Sequence, residues 1–208
     1  MPPIIWSVFK SYNTLFAKVR RTRMHKAKSK TVIVVVGMPG AGKSLASSVA
    51  AKRRIRVFVS GDIIREEANR RNVSPSKENL GRLMLKIREE EGMGAVAKRL
   101  APLIEKIDGN IFVYEGARNI EEIEELNKKY RVFTIAIHAS PESRYRRLLR
   151  RGRSDGPRNW ADFRERDERE LKVGVGKLIA LADRVVENED TKNDLKRRTA
   201  RLLKTLPN

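Results

Sequence analysis

Residues 37–44 read Gly37-Met38-Pro39-Gly40-Ala41-Gly42-Lys43-Ser44, the spacing G-x-x-x-x-G-K-[ST]. This is a Walker A pattern, and it dictates its surroundings. Val32-Ile33-Val34-Val35-Val36 runs into it, apolar and almost wholly β-branched, as a strand buried on both faces should be. Leu45-Ala46-Ser47-Ser48-Val49-Ala50-Ala51 follows and reads as a helix rich in small residues. Strand, glycine loop and helix are the context in which this motif binds phosphate. Glycines let the backbone curl so that successive N–H groups face an anion, and the helix N-terminus adds its partial positive charge. Lys43 reaches the β- and γ-phosphates of a bound nucleotide, and the Ser44 hydroxyl can ligate Mg²⁺. The expected nucleotide contacts are therefore Gly37, Met38, Pro39, Gly40, Ala41, Gly42, Lys43, Ser44 and Leu45.

The chain has 208 residues, room for one α/β domain with a substantial core. No stretch approaches the roughly 18 apolar residues of a membrane-spanning helix. There is no Cys, which excludes disulfides, thiolate metal sites and cysteine nucleophiles. With His25 and His138 alone, a histidine-built metal site or triad is also disfavoured. A charged fraction of 35% without Cys suits a thermophile. The net charge is +20, but residues 1–30 hold eight Lys/Arg and no acid, leaving 38 basic against 26 acidic residues beyond them. Such a surface favours anionic partners, from ATP to RNA, without choosing between them.

Within residues 1–30, Ile5, Phe9, Tyr12, Phe16 and Val19 recur at helical spacing against a basic remainder. The segment reads as an amphipathic helix for an anionic surface, a docking element, or a disordered extension with Met24 as a workable start. It lacks the apolar stretch and cleavage site of a secretory signal. Residues 31–208 form the expected catalytic domain. Strands are predicted near 32–36, 57–59, 110–115, 132–138 and 184–187. Helices are predicted near 43–54, 62–71, 78–91, 94–107, 119–129, 141–151, 160–182 and 191–204. This alternation predicts a three-layer α/β fold around a mainly parallel five-stranded sheet. Its ligand should sit beyond the carboxyl ends of the strands.

Residues just after each strand are the candidates. Ser60-Gly61-Asp62 opens a helix in which Asp62 and Arg65 face an acceptor, Arg65 as the cation for its phosphate. Ile111-Phe112-Val113-Tyr114 ends in Glu115-Gly116-Ala117-Arg118. There Glu115 is the second carboxylate near Mg²⁺, Gly116 leaves room for a ligand, and Arg118 offers a planar fork to the acceptor's phosphate. Arg144-Tyr145-Arg146-Arg147-Leu148-Leu149-Arg150-Arg151 and the following Gly152-Arg153-Ser154-Asp155-Gly156-Pro157 read as a short, arginine-rich lid over about 152–170. Arg147, Arg151 and Arg153 close on the γ-phosphate. Farther on, Arg166, Asp167 and Arg169 alternate in charge and read as intrahelical pairs. Gly174-Val175-Gly176-Lys177 is a helix irregularity. The turn containing Asn188, after the last strand, suits backbone contact with adenine.

Together, the P-loop, Ser60-Gly61-Asp62-x-x-Arg65, Glu115-Gly116-x-Arg118 and the lid resemble the adenylate-kinase-like nucleotide kinases. Ala182-Asp183-x-Val185-Val186-x-Asn188 resembles the end of dephospho-coenzyme A kinases. With Asn79-Leu80-Gly81, Gly94-Ala95-Val96-Ala97-Lys98-Arg99 and Arg151-Gly152-Arg153-Ser154-Asp155, the run from Gly37 to Asn188 resembles an archaeal family of adenylate-kinase-related proteins. That resemblance implies a nucleoside monophosphate kinase-like fold, ATP with Mg²⁺, and an archaeal, cytoplasmic origin; it supplies no acceptor. The chain departs from adenylate kinases where they carry Asp-Gly-Phe-Pro-Arg, and its lid is too short for their zinc-bearing form.

Two functions follow. The first is phosphoryl transfer from ATP to a nucleoside monophosphate or similar phosphate-bearing acceptor, with dephospho-coenzyme A as the rival within that class. The second is a slow NTPase that gates binding to RNA or a ribosomal partner through the basic surface and N-terminal tail. Against the second, the sequence lacks the aromatic–basic interleaving that stacks bases.

Overall fold

Alternate residues of the first strand face opposite sides, and both sides are apolar. Val32, Val34 and Val36 join one buried cluster, while Ile33 and Val35 join another. This strand is therefore the centre of a three-layer stack. The computed structural model describes residues 30–152 and 156–205. The N-terminal segment 1–29 and Arg153 lie outside the described residues.

The elements are β1 (Thr31–Val36), α1 (Lys43–Ala51), β2 (Arg56–Val59), α2 (Ser60–Arg70), α3 (Lys77–Glu91), α4 (Ala95–Glu105), β3 (Ile111–Glu115), α5 (Ile120–Asn127), β4 (Arg131–His138), α6 (Pro141–Arg151), α7 (Trp160–Val173), α8 (Val175–Ala180), β5 (Arg184–Glu187) and α9 (Lys192–Thr205). The sheet has five strands in the order β2-β3-β1-β4-β5. Every pairing in it is parallel. This is the α/β P-loop fold expected from the alternation.

The topology also makes the crevice. Ala46 and Ala50 of α1 pack on one face of the sheet, whereas Ile123 and Leu126 of α5 pack on the other. The chain thus leaves the neighbouring strands β1 and β3 in opposite directions, opening a gap beyond their carboxyl ends. In register, Val35 lies beside Glu115, so the P-loop and the Glu115 turn begin at the same level.

Helices α2, α3 and α4 are tied by one buried carboxylate. Glu67 accepts from Arg70 at 2.7 Å, Arg71 at 2.6 Å and Arg99 at 3.2 Å. Arg70 first, with Arg99 and Arg71, holds its pKa down to about 2 despite burial. Arg99 also grips Glu91 of α3 at 2.5 Å.

One element differs from expectation. The predicted helix over 160–182 is two helices, because Gly174 takes φ +115° and caps α7 in the left-handed region. The break turns the end of α7 against the segment carrying Arg118 and Asn119.

Candidate active site

The glycine loop is held from two sides. A Cβ on Gly37 would meet the Ile137 carbonyl oxygen of β4 at 2.4 Å, and one on Gly42 would meet Asn188 Nδ2 at 2.4 Å. Gly42 sits at φ +107°, where a side chain is strained in any case. Asn188 is buried and its amide donates to the Ala41 carbonyl at 2.7 Å, buttressing the loop from β5. Helix α1 begins without a side-chain cap or an acid in its first turn. Its leading amides are left for a ligand, as an anion site at a helix N-terminus requires.

Lys43 Nζ donates to the carbonyls of Gly37 at 2.8 Å and Met38 at 3.2 Å. Burial, followed by the Arg118 charge, lowers its pKa to about 8. The ammonium is thus short of negative charge. Ser44 Oγ donates to Glu115 Oε1 at 2.6 Å, joining the loop to the end of β3. These two oxygens suit a hard cation: Mg²⁺ takes one or two carboxylates and completes its octahedron with water and substrate phosphates. Among the described residues there is no cluster of three or more His, Cys, Asp or Glu that could form a protein-only metal cage.

Between the P-loop and the turn after β3 lies a cleft of about 250 Å³, lined by Lys43, Ser44, Glu115 and Arg118, with Arg151, Arg166 and Glu170 along its outer wall. Arg118 Nη1 contacts both carboxylate oxygens of Glu170 on α7, bridging the cleft.

The outer wall is anchored by a buried ion pair. Arg144 on α6 meets Asp167 on α7 through Nη1–Oδ1 at 2.8 Å and Nη2–Oδ2 at 2.6 Å. Its remaining hydrogen bonds reach the Ala139 carbonyl at 3.1 Å and the Pro39 carbonyl at 3.3 Å, and its guanidinium lies 5.0 Å from the Phe163 ring centre. One side chain therefore joins the P-loop to both helices of the lid region. Removing a single partner of such a pair costs about 3–5 kcal/mol. Asp167→Ala should accordingly lower Tm by roughly 10 °C in a thermal melt, and a melt unchanged from wild type would show that the pair anchors nothing.

Residues 36–164 match the AAA domain family. A UPF0200 protein of Hyperthermus butylicus is 44% identical over 175 residues, which cover 84% of this chain and 94% of that protein. The chain belongs to the archaeal UPF0200 family. This bears out the archaeal kinase-related resemblance. Among solved structures, TT1252 from Thermus thermophilus superposes with TM-score 0.66 at 18% identity, covering 87% of this chain and 100% of that one. A shikimate kinase from Bacteroides thetaiotaomicron superposes with TM-score 0.59 at 18% identity, covering 84% and 98%. At that identity the likeness shows the fold alone, and the fold is that of P-loop kinases.

In this UPF0200 chain the expected site residues divide. Gly37, Pro39, Gly40, Lys43, Ser44, Glu115, Gly116, Arg118 and Arg151 converge on the cleft. Met38 contributes its carbonyl to Lys43, Ala41 is buried with its carbonyl on Asn188, and Leu45 packs into the core beneath the loop. Three placements differ from the reading of the sequence. Arg147 does not line the cleft: its Nη2 donates to the Asn188 carbonyl at 2.6 Å, behind the P-loop. Asp62 and Arg65 do not line it either, since they pair with each other one turn apart on α2, both more than half exposed. Asp167 pairs across to α6 rather than within its helix, whereas Arg169 does pair within it, with Glu165 at 3.1 Å. Glu170 and Arg166 line the cleft although the sequence gave no reason to single them out for it. No described helix is long and apolar enough to cross a membrane.

Proposed function

We propose that this protein transfers the γ-phosphoryl group of ATP to a small phosphate-bearing acceptor, a nucleoside monophosphate or, as the rival, dephospho-coenzyme A. The observation that carries this reading is the second cation site. Arg118 stands across the cleft from the P-loop on a different strand, and its guanidinium already grips an anion, the Glu170 carboxylate. A protein that only hydrolysed ATP would need no such fork opposite its P-loop.

In this reading the loop amides and Lys43 hold the β- and γ-phosphates, and Ser44 and Glu115 hold Mg²⁺, which neutralises charge on those phosphates when bound. Arg118 turns from Glu170 to the acceptor's phosphate and sets its oxygen in line with the γ-phosphorus. Arg151, Arg166 and the masked Arg153 belong to the wall that closes and excludes water. Asp62 and Arg65, at the rim, part to meet the outer portion of the acceptor. Asn188 keeps its buttressing amide, and its backbone meets the adenine. Positioning and charge neutralisation are most of what phosphoryl transfer requires of a protein.

The test is a panel of nucleoside monophosphates and dephospho-coenzyme A with ATP and Mg²⁺, scored for ADP release above the background hydrolysis rate. At least one acceptor should accelerate release and appear phosphorylated. A flat panel combined with RNA-stimulated hydrolysis would replace this reading with the gated NTPase.

A further inference from the structure

Helix α3 carries a cation whose surroundings do not explain it. Arg88 is only 8% exposed, yet its Nε and Nη2 make no hydrogen bond. The carboxylate beside it is Glu122 of α5, with Oε1 3.7 Å from Nη2, beyond hydrogen-bond range. Glu122 is fully buried and already engaged. Its Oε2 accepts from the Tyr114 hydroxyl at 2.5 Å, and its Oε1 accepts from the Arg118 amide and Asn119 Nδ2, each at 3.2 Å.

Other buried arginines in this fold are treated differently. Arg144 is bonded to a carboxylate and two carbonyls, and Arg99 grips two carboxylates. A desolvated guanidinium without partners is costly, and native interiors rarely retain one without a use. Burial indeed pushes the Arg88 pKa down, with the Arg118 charge adding to the shift. That coupling shows where Arg88 lies: within electrostatic reach of Arg118 and Glu170, which line the cleft, and one carboxylate behind the Arg118 amide.

We infer that Arg88 is the inner half of an anion site completed by Arg118, and that this site takes the phosphate monoester of the acceptor. The proposal rests on the phosphotransferase reading for its substrate, but not for its test. A dianion matches two guanidiniums. It would satisfy the bare Nε and Nη2 of Arg88 and draw Arg118 from Glu170 in one step, with no demand on Lys43, whose place is on the nucleotide. A singly charged carboxylate acceptor would leave one cation uncompensated.

The experiment uses the full chain with its P-loop saturated by the non-hydrolysable analogue AMP-PNP and Mg²⁺, titrated with inorganic phosphate by calorimetry. Wild type should bind phosphate at this second site. Arg88→Met should bind it at least tenfold more weakly while keeping its AMP-PNP affinity. Ligand-free Arg88→Met should also melt no lower than wild type, because it removes a buried, unpaired charge and keeps the apolar stem. Arg88→Gln replaces it if the Met variant aggregates. Unchanged phosphate affinity in the variant overturns the proposal, as does the absence of any phosphate binding to the AMP-PNP-loaded wild type. A variant that melts well below wild type with normal phosphate affinity makes Arg88 a structural partner of Glu122. The two readings fail separately. A flat acceptor panel with Arg88-dependent phosphate binding removes transfer and keeps the site, whereas normal transfer by Arg88→Met removes the site and keeps transfer.

Discussion

Lys43→Ala is expected to lower kcat/KM for both transfer and hydrolysis by roughly 10²–10³-fold, the loss typical when a preorganised charge-stabilising group is removed. Lys43 is the cation that the motif sets on the leaving phosphate, and its ammonium rests on the Gly37 and Met38 carbonyls, poised at the mouth of the loop. Its lowered pKa records a charge held in the cleft without a counter-anion. Removing that charge should therefore not weaken the ligand-free fold, and the variant should melt at or above the wild-type temperature. Alanine is a good helix former, so α1 still begins where it does. Loss of turnover with a retained melt is the expected pair of results. Normal turnover in the variant would remove the P-loop assignment.

How much of this was legible in the sequence depended on the range of each interaction. The P-loop is a local object, in which strand, glycines and helix start lie within 20 residues, so its chemistry could be read from spacing. Glu115 and Arg118 could be read because a parallel sheet delivers the carboxyl ends of its strands to one edge, and both follow an apolar run. Asp62 and Arg65 misled for the same reason: they too follow a strand, but residues three apart on one helix face can satisfy each other, and they do. Arg144 and Asp167 lie 23 residues apart on two helices, each amid many charges. Only the packing of α6 on α7 shows that this pair is buried while its neighbours are solvated. Arg88 was invisible in the same way, because an arginine in a charged helix reads as surface. Gly174 announced an irregularity, but its left-handed φ was needed to show that the helix ends there and turns Glu170 into the cleft.

Replacing Arg118 by alanine separates an acceptor-handling residue from one that serves the nucleotide. A charge-assisted, partly buried contact is worth about 1.5–3 kcal/mol, so kcat/KM for the acceptor should fall roughly ten- to a hundredfold. The affinity for ATP and its slow hydrolysis in water should change little, since the P-loop holds the nucleotide without Arg118. One complication is that Arg118 also binds Glu170, so its loss strands a carboxylate that is only 15% exposed. Glu170→Gln resolves this. It keeps Arg118, removes the internal anion that competes for it, and leaves an amide of nearly the same shape. If Glu170 is a stand-in that the acceptor displaces, Glu170→Gln should bind the acceptor at least as tightly as wild type, while Arg118→Ala loses it. If the pair instead only braces α7 against the turn after β3, both variants should fall in activity together and both should melt lower. Should Arg118→Ala leave every acceptor assay unchanged and weaken RNA binding with a reduced salt slope, the basic surface is the working face and the cleft serves a gate.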